Sequence, residues 1–311
     1  MHHKEFWLDD IDGNIVLIAR NVAFRIYRGL LVAQSTVFAD MFASSSPNSD
    51  EVIDGCPVIY VSDSPEDLAQ LLRVLLPTTH RHFHPDDEMP ERTFDEVFAI
   101  IRLAHKYHIE DVQRQALRLL REYTFNDNFE MWKGTREETI PVDGACAIGA
   151  VNLAKLLNVP EMILSAVYKC LSLRGGILDG WTCGDGSIEY LSQDDIKRCI
   201  DASHKLSLAG ISLVSTMFRP EASNRCNLRP LCVTALPPTL LDVLKFHPEA
   251  VSVASQVMTP WDGIFKKLGG YGLCDTCWHE LEARDTAGRQ EIWKRFPDIF
   301  DVVAERWGNS V

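Results

Sequence analysis

The sequence predicts an α+β chain that is predominantly helical: a small sheet flanked by helices over residues 1–125, then an all-α extension. Two observations carry this. Short strand-like runs, the β-branched Asn14–Ala19, the alternating Phe24–Tyr27 and Pro57–Val61, fall within the first 61 residues. From Asp67 onward apolar residues recur mainly at helical spacing, with polar and proline starts. The 311 residues are about twice a ~150-residue domain, and three parts are expected: 1–125, a helical extension at 126–225, and a cysteine-containing helical region at 226–311.

In chain order, Asp12-Gly13 turns into the first strand, and Phe24–Tyr27 alternates apolar and polar faces as its hairpin partner. Leu30, Leu31, Val37, Phe38, Met41 and Phe42 follow at helical spacing, with Ser35 placed to cap the turn that carries Val37 and Phe38. Ser44–Asp50 is an exposed break. Ser64-Pro65-Glu66-Asp67 opens a helix through Leu76: the serine caps it, proline suits the first turn, and the acids favour its positive end. Phe94, Val97, Phe98, Ile101 and Ala104 form one apolar stripe, and Val112, Ala116, Leu119, Leu120 and Tyr123 a second, broken at His108-Ile109. Such stripes predict two helices packed antiparallel.

Composition excludes several functions. Lys and Arg number 31 against 44 Asp and Glu, a formal charge of −13, so the chain repels nucleic-acid phosphates and anionic membranes. Basic residues do not concentrate: Lys266-Lys267 is only a pair, and Arg284, Arg289, Lys294 and Arg295 are interleaved with acids. The opening residues lack a secretory apolar region, and no run approaches the ~20 apolar residues of a membrane span. Nine scattered cysteines, an odd number, are unlike a disulfide framework and fit a reduced intracellular compartment, cytoplasm or nucleus.

The stretch Phe24–Phe42, with strand Val58–Val61, helix Asp67–Leu76 and Phe94–Tyr123 following at the right distances, resembles the BTB/POZ domain over roughly the first 125 residues. Ala104-His-Lys-Tyr107 resembles the family's Lys-Tyr motif before its closing helix. Phe6-Trp7 and the turn Asp54-Gly-Cys-Pro57 are similar to the fungal, basidiomycete-type branch, as is Asn152–Leu157 in the extension. The resemblance implies a core motif of Phe24, Leu31, Ser35, Phe38, Met41 and Phe42, and a partner-binding groove near Asn14, Tyr27 and Arg28. It also implies association with another BTB chain or, in some members, service as a cullin-3 ubiquitin-ligase adaptor. This sequence departs from the pattern at two places. Asn14 and Tyr27 stand where several subfamilies carry the Asp/His pair of the dimer groove, and no hydrophobic-x-Glu element for cullin follows Met41-Phe42-Ala43-Ser44.

Two clusters have the chemistry of ligand sites. His80, His82 and His84 could chelate a metal or titrate together, or simply punctuate a solvated, proline-bounded loop; His105 and His108 read as packed or surface residues of one helix. Further on, Asp143–Asn158 and Pro160–Leu173 repeat the helix-pair pattern, Gly175-Gly176 and Gly180–Gly186 are loops, and Ser192 caps a helix through Leu208, which the apolar Ile211–Phe218 either extends or restarts. Cys226 and Cys232 then lie in a Pro- and Arg-rich loop, and Cys274 and Cys277 enter a helix over Trp278–Phe296. Two thiolates two residues apart at a helix start can face one tetrahedral ion; the separated pair, or His247 or His279, could complete the set around one structural zinc. Inert packing of small apolar thiols and a redox Cys-x-x-Cys are the alternatives. Trp278, Leu281, Ile292, Trp293, Phe296, Phe300 and Val303 read as packed core.

No nucleophile elbow, phosphate loop, dinucleotide fingerprint or His-Glu-x-x-His motif occurs. The expected function is a non-enzymatic protein–protein interaction scaffold. A cullin-3 adaptor and a zinc- or thiol-dependent enzyme are the alternatives.

Overall fold

The computed structural model describes residues 1–9, 13–44, 51–76, 92–133, 144–267 and 272–308. The loop of His80, His82 and His84, the break after Ser44, Asp12, Asp143 and segment 269–271 lie outside the described residues. The described chain divides into two compact units: Met1–Phe125 with Glu138–Leu157 and Gly180–Glu189, and Asn126–Glu137 with Asn158–Asp179 and Tyr190–Val311.

The first unit is built on a five-stranded sheet of order β1-β3-β2-β5-β4, formed by β1 (His2–Trp7), β2 (Ile15–Ala19), β3 (Val22–Ile26), β4 (Val52–Ile53) and β5 (Cys56–Val61). The expected hairpin is β2–β3, antiparallel from Ile15 opposite Ile26 to Ala19 opposite Val22, turned by Arg20 at φ +53°. β5 runs parallel to β2, pairing Val16 with Val58 and Ala19 with Val61. β1, which the polar alternation of His2–Trp7 does not announce, lies parallel to β3.

The helical run after Tyr27 is two helices, α1 (Arg28–Gln34) and α2 (Thr36–Ser44), divided at Ser35. Ser35 adopts extended backbone, and its hydroxyl accepts from Phe38 N at 3.0 Å as the cap of α2. α3 (Pro65–Leu75) starts as its sequence dictates, with Ser64 Oγ accepting from Asp67 N at 3.0 Å and Glu66 and Asp67 in the positive first turn. α4 (Phe94–Lys106) opens on a reciprocal capping box between Thr93 and Glu96. It ends where His108 turns left-handed (φ +51°), which lets Ile109 N donate to Ala104 O at 2.8 Å, so His108 stands beyond the helix and not on it. α5 (Glu110–Tyr123) packs back on α4, and Phe94, Val97, Phe98, Ile101, Ala104, Val112, Ala116, Leu119 and Leu120 are all buried.

Two later segments complete this unit. α7 (Cys146–Leu156) packs on α4, and the region expected as a loop at Gly180–Gly186 contains a small hairpin of β6 (Trp181–Thr182) and β7 (Ile188–Glu189). Trp181 seats edge-on against Phe94 and Phe98, with centroids 5.3 and 4.9 Å away. Arg102 holds the hairpin through Glu189 at 3.5 Å while also pairing with Asp67 of α3. Gly184 N donates to Asp95 Oδ1 at 3.0 Å.

The second unit contains α6 (Phe129–Lys133), α8 (Pro160–Cys170), α9 (Gln193–Met217), α10 (Arg229–Phe246), α11 (Pro248–Ser252), α12 (Asp262–Lys267), α13 (Asp275–Lys294) and α14 (Phe296–Phe300). α7 and α8, expected as a pair like α4 and α5, thus fall in different units, with the chain turning at left-handed Asn158 (φ +55°). α9 is capped by Ser192 and runs unbroken to Met217, well past Leu208. Its core is aromatic: Trp293 lies 5.0 Å from Trp132, 5.0 Å from Phe296 and 4.5 Å from Trp307, between ring centroids. Leu281, Ile292, Trp293, Phe296 and Phe300 are core as expected and Trp278 packs against Phe265, but Val303 is 85% exposed because it follows the left-handed turn at Asp301.

Candidate functional site

Cysteines from two helix starts converge in the second unit. Cys226 closes a tight turn in which its N–H donates to Ser223 O at 3.0 Å. α10 then begins at Arg229, with Pro230 in its first turn, and carries Cys232, whose N–H donates to Leu228 O at 3.0 Å; Cys232 is therefore helical and not part of a loop. Cys274 occupies the cap position of α13 with extended backbone (φ −77°, ψ 160°), and its carbonyl accepts from Cys277 N at 2.9 Å and Trp278 N at 3.0 Å. The expected helix therefore starts at Asp275, ahead of Cys277.

All four Sγ atoms lie within 4.8 Å of one another. Cys226 and Cys274 bring their sulfurs 3.6 Å apart across 48 residues of chain. A bonded disulfide needs about 2.05 Å, and all nine cysteines are unbridged. A tetrahedral ion with Zn–S bonds of about 2.3 Å needs sulfur–sulfur edges of about 3.8 Å. The cluster is already close to that size, and thiolates are the donors that soft and borderline ions select. The four-cysteine set could hold a metal.

Its environment is graded. Cys232 and Cys277 are buried with Ala222, while Cys226, Cys274, Val233 and Leu273 are half-buried around them. The backbone N–H of Cys277, assisted by the neighbouring thiols, draws the Cys274 thiol down to about 7. Burial pushes Cys277 up to about 12 and raises Cys232 as well. Cys274 N donates to Cys232 Sγ at 3.4 Å, a bond that would offset charge on a metal thiolate. The sulfur set stands without histidine: His279 pairs with Glu282 at 3.1 Å, and His247 is not among the clustered residues.

In the first unit, Phe24, Leu31, Ser35, Phe38 and Phe42 are buried, and Met41 half-buried. Asn14, Tyr27 and Arg28 meet at the end of β3. Asn14 Oδ1 accepts from Arg28 N at 2.7 Å and so caps α1 in place of Tyr27, whose side chain makes no cap. Tyr27 is 45% exposed and its ring lies over Gly29, where a Cβ would come within 2.7 Å of Tyr27 Cε1. The Arg28 guanidinium sits 5.5 Å from the Phe42 ring centre and donates to Phe42 O at 3.4 Å.

Motif reading alone does not reveal the network behind the Lys-Tyr pair. Lys106 Nζ meets Asp63 Oδ1 at 2.6 Å, and the buried Tyr107 hydroxyl donates to Asp63 Oδ2. Ser35 Oγ donates to Tyr107 O at 2.6 Å, and the Tyr107 ring stacks on Phe38 at 4.1 Å. Asp63 stands just before the cap of α3, a position that marks a helix start without marking its distant partners.

Among the described residues, no helix is long and apolar enough to cross a membrane. No curated protein resembles the chain closely enough to count as a match. The family model of the BTB/POZ domain matches residues 5–124. Those residues hold all of the described sheet but the start of β1, with the Ser35 junction and the Lys-Tyr network, and this part of the chain is a BTB/POZ domain, a protein–protein interaction module.

Proposed function

We propose that the chain is a non-enzymatic interaction scaffold whose BTB/POZ domain associates with a second copy or with another BTB chain, and whose C-terminal region is stapled by one structural zinc ion on Cys226, Cys232, Cys274 and Cys277. The observation that carries the first part is the BTB/POZ domain itself, with Asn14, Tyr27 and Arg28 forming an exposed patch where β3 meets α1. The sulfur geometry supports the second. Four thiolates fill the positions of a tetrahedral ion and leave none for a substrate, the arrangement of a structural site. The unbridged cysteines support residence in a reducing compartment, cytoplasm or nucleus. Phe6-Trp7 and the Asp54-Gly55 turn support a place in the fungal branch.

Light scattering over a concentration series tests association. A mass that rises toward twice the chain supports it; a constant monomer that also captures no BTB partner rejects it. Mixing with purified cullin-3 tests the adaptor alternative, which needs a complex at tens of micromolar. A thiol enzyme would instead lose a measurable activity in Cys274→Ser while staying folded.

A further inference from the structure

We infer that the zinc site is redox-gated: Cys226 and Cys274 form its oxidisable edge, and a disulfide between them expels the ion. The inference rests on the zinc reading above and adds its regulation. Three features of the cluster point to this pair. Their sulfurs lie 3.6 Å apart, within hydrogen-bonding contact. They are the half-buried members, so an oxidant reaches them first, whereas Cys232 and Cys277 are buried. Both also stand outside regular helix. Cys226 follows a turn and Cys274 has extended backbone, so their side chains can close the remaining gap without unwinding an element. Cys232 and Cys277 are held in helical first turns by backbone bonds to Leu228 O and Cys274 O.

The oxidant is hydrogen peroxide. Two metal-bound thiolates give up one electron pair and a sulfur–sulfur bond forms. The peroxide O–O bond takes the pair and, with two protons, leaves as two waters. Two metal–sulfur bonds break, and the ion, left with two ligands, dissociates. A dithiol reductant and added zinc reverse the change.

The full-length chain, reduced and loaded with zinc, is assayed first for metal content and then titrated with hydrogen peroxide. Released zinc is read with a chromogenic chelator, and bridges are mapped by non-reducing peptide mass spectrometry after alkylation. Expected are loss of the bound zinc, a Cys226–Cys274 bridged peptide, and recovery on reduction with zinc. A different bridge, no bridge, or zinc retained in the bridged protein would overturn the inference. Cys226→Ser should lose the bridged peptide, and the wild-type map decides the matter if that variant does not fold. Failure to load zinc at all would overturn the zinc reading instead, and mapping the oxidised metal-free chain would still decide which pair closes.

Discussion

Trp181 occupies the space left by the missing side chain of Gly149: a Cβ built on that glycine would overlap the six-membered ring of the indole. Residues 32 positions apart thus meet with no room for a methyl group, and the ring goes on to cover Phe94 and Phe98 of the BTB/POZ domain. Gly149→Ala should destabilise the first unit by about 1–3 kcal/mol, because a 4%-exposed tryptophan has nowhere to move. Gly175→Ala, which meets nothing within 4 Å, is the matched control and should be near neutral; urea denaturation followed by tryptophan fluorescence compares the two.

The same contact predicts that the family segment is incomplete by itself. A chain ending at Phe125 uncovers Phe94 and Phe98 and deprives Arg102 of Glu189. It should associate or melt earlier than the full chain. Trp181→Ala in the full chain should cost about 3–5 kcal/mol, and size-exclusion chromatography with thermal melts checks both.

Ser35 serves two elements at once, capping α2 and donating to Tyr107 O. Ser35→Ala removes the cap and leaves a buried carbonyl short of a partner, a loss of about 1–3 kcal/mol. Thr36→Ala, at an exposed neighbouring position, should change stability far less. Equilibrium unfolding of both variants measures the difference.

Tyr107 supplies a pH signature. Burial, and then its bond to Asp63, raise the hydroxyl well above its ordinary value near 10. The folded chain therefore keeps this proton where the unfolded chain releases it. The contribution is complete below about pH 10 and is lost as pH climbs from there toward the folded value, at up to about 1.4 kcal/mol per pH unit. Tyr107→Phe should be less stable at neutral pH, where Asp63 keeps Lys106, yet decline less steeply above pH 10. Unfolding curves from pH 8 to 11 test the sign.

If zinc joins α10 to α13, chelation should loosen the second unit by on the order of several kcal/mol. Metal analysis should then find about one ion per chain. Metal-free protein with unchanged thermal stability would remove the staple.

Much of this architecture was legible in local chemistry. The β2–β3 hairpin follows from alternation around Arg20-Asn21, and the starts of α2, α3 and α9 follow from Ser35, Ser64 and Ser192, because a cap bonds a backbone group only a few residues away. The stripes of α4 and α5 follow from the helical period, and Cys274-x-x-Cys277 marks the start of α13 with two thiols close in sequence. The Thr93/Glu96 capping box was equally available as a start signal.

What the sequence determined by itself, then, is which segments become strand or helix and which residues suit a metal or a BTB/POZ core, since period, caps and side-chain chemistry are properties of neighbours. Tertiary structure alone decided the parallel seat of β1 beside β3, the reach of Trp181 back to α4, the joining of Lys106 and Tyr107 on Asp63, and the meeting of Cys226 with Cys274. Each of these depends on chain closure between residues tens of positions apart, which only burial and packing in three dimensions can select.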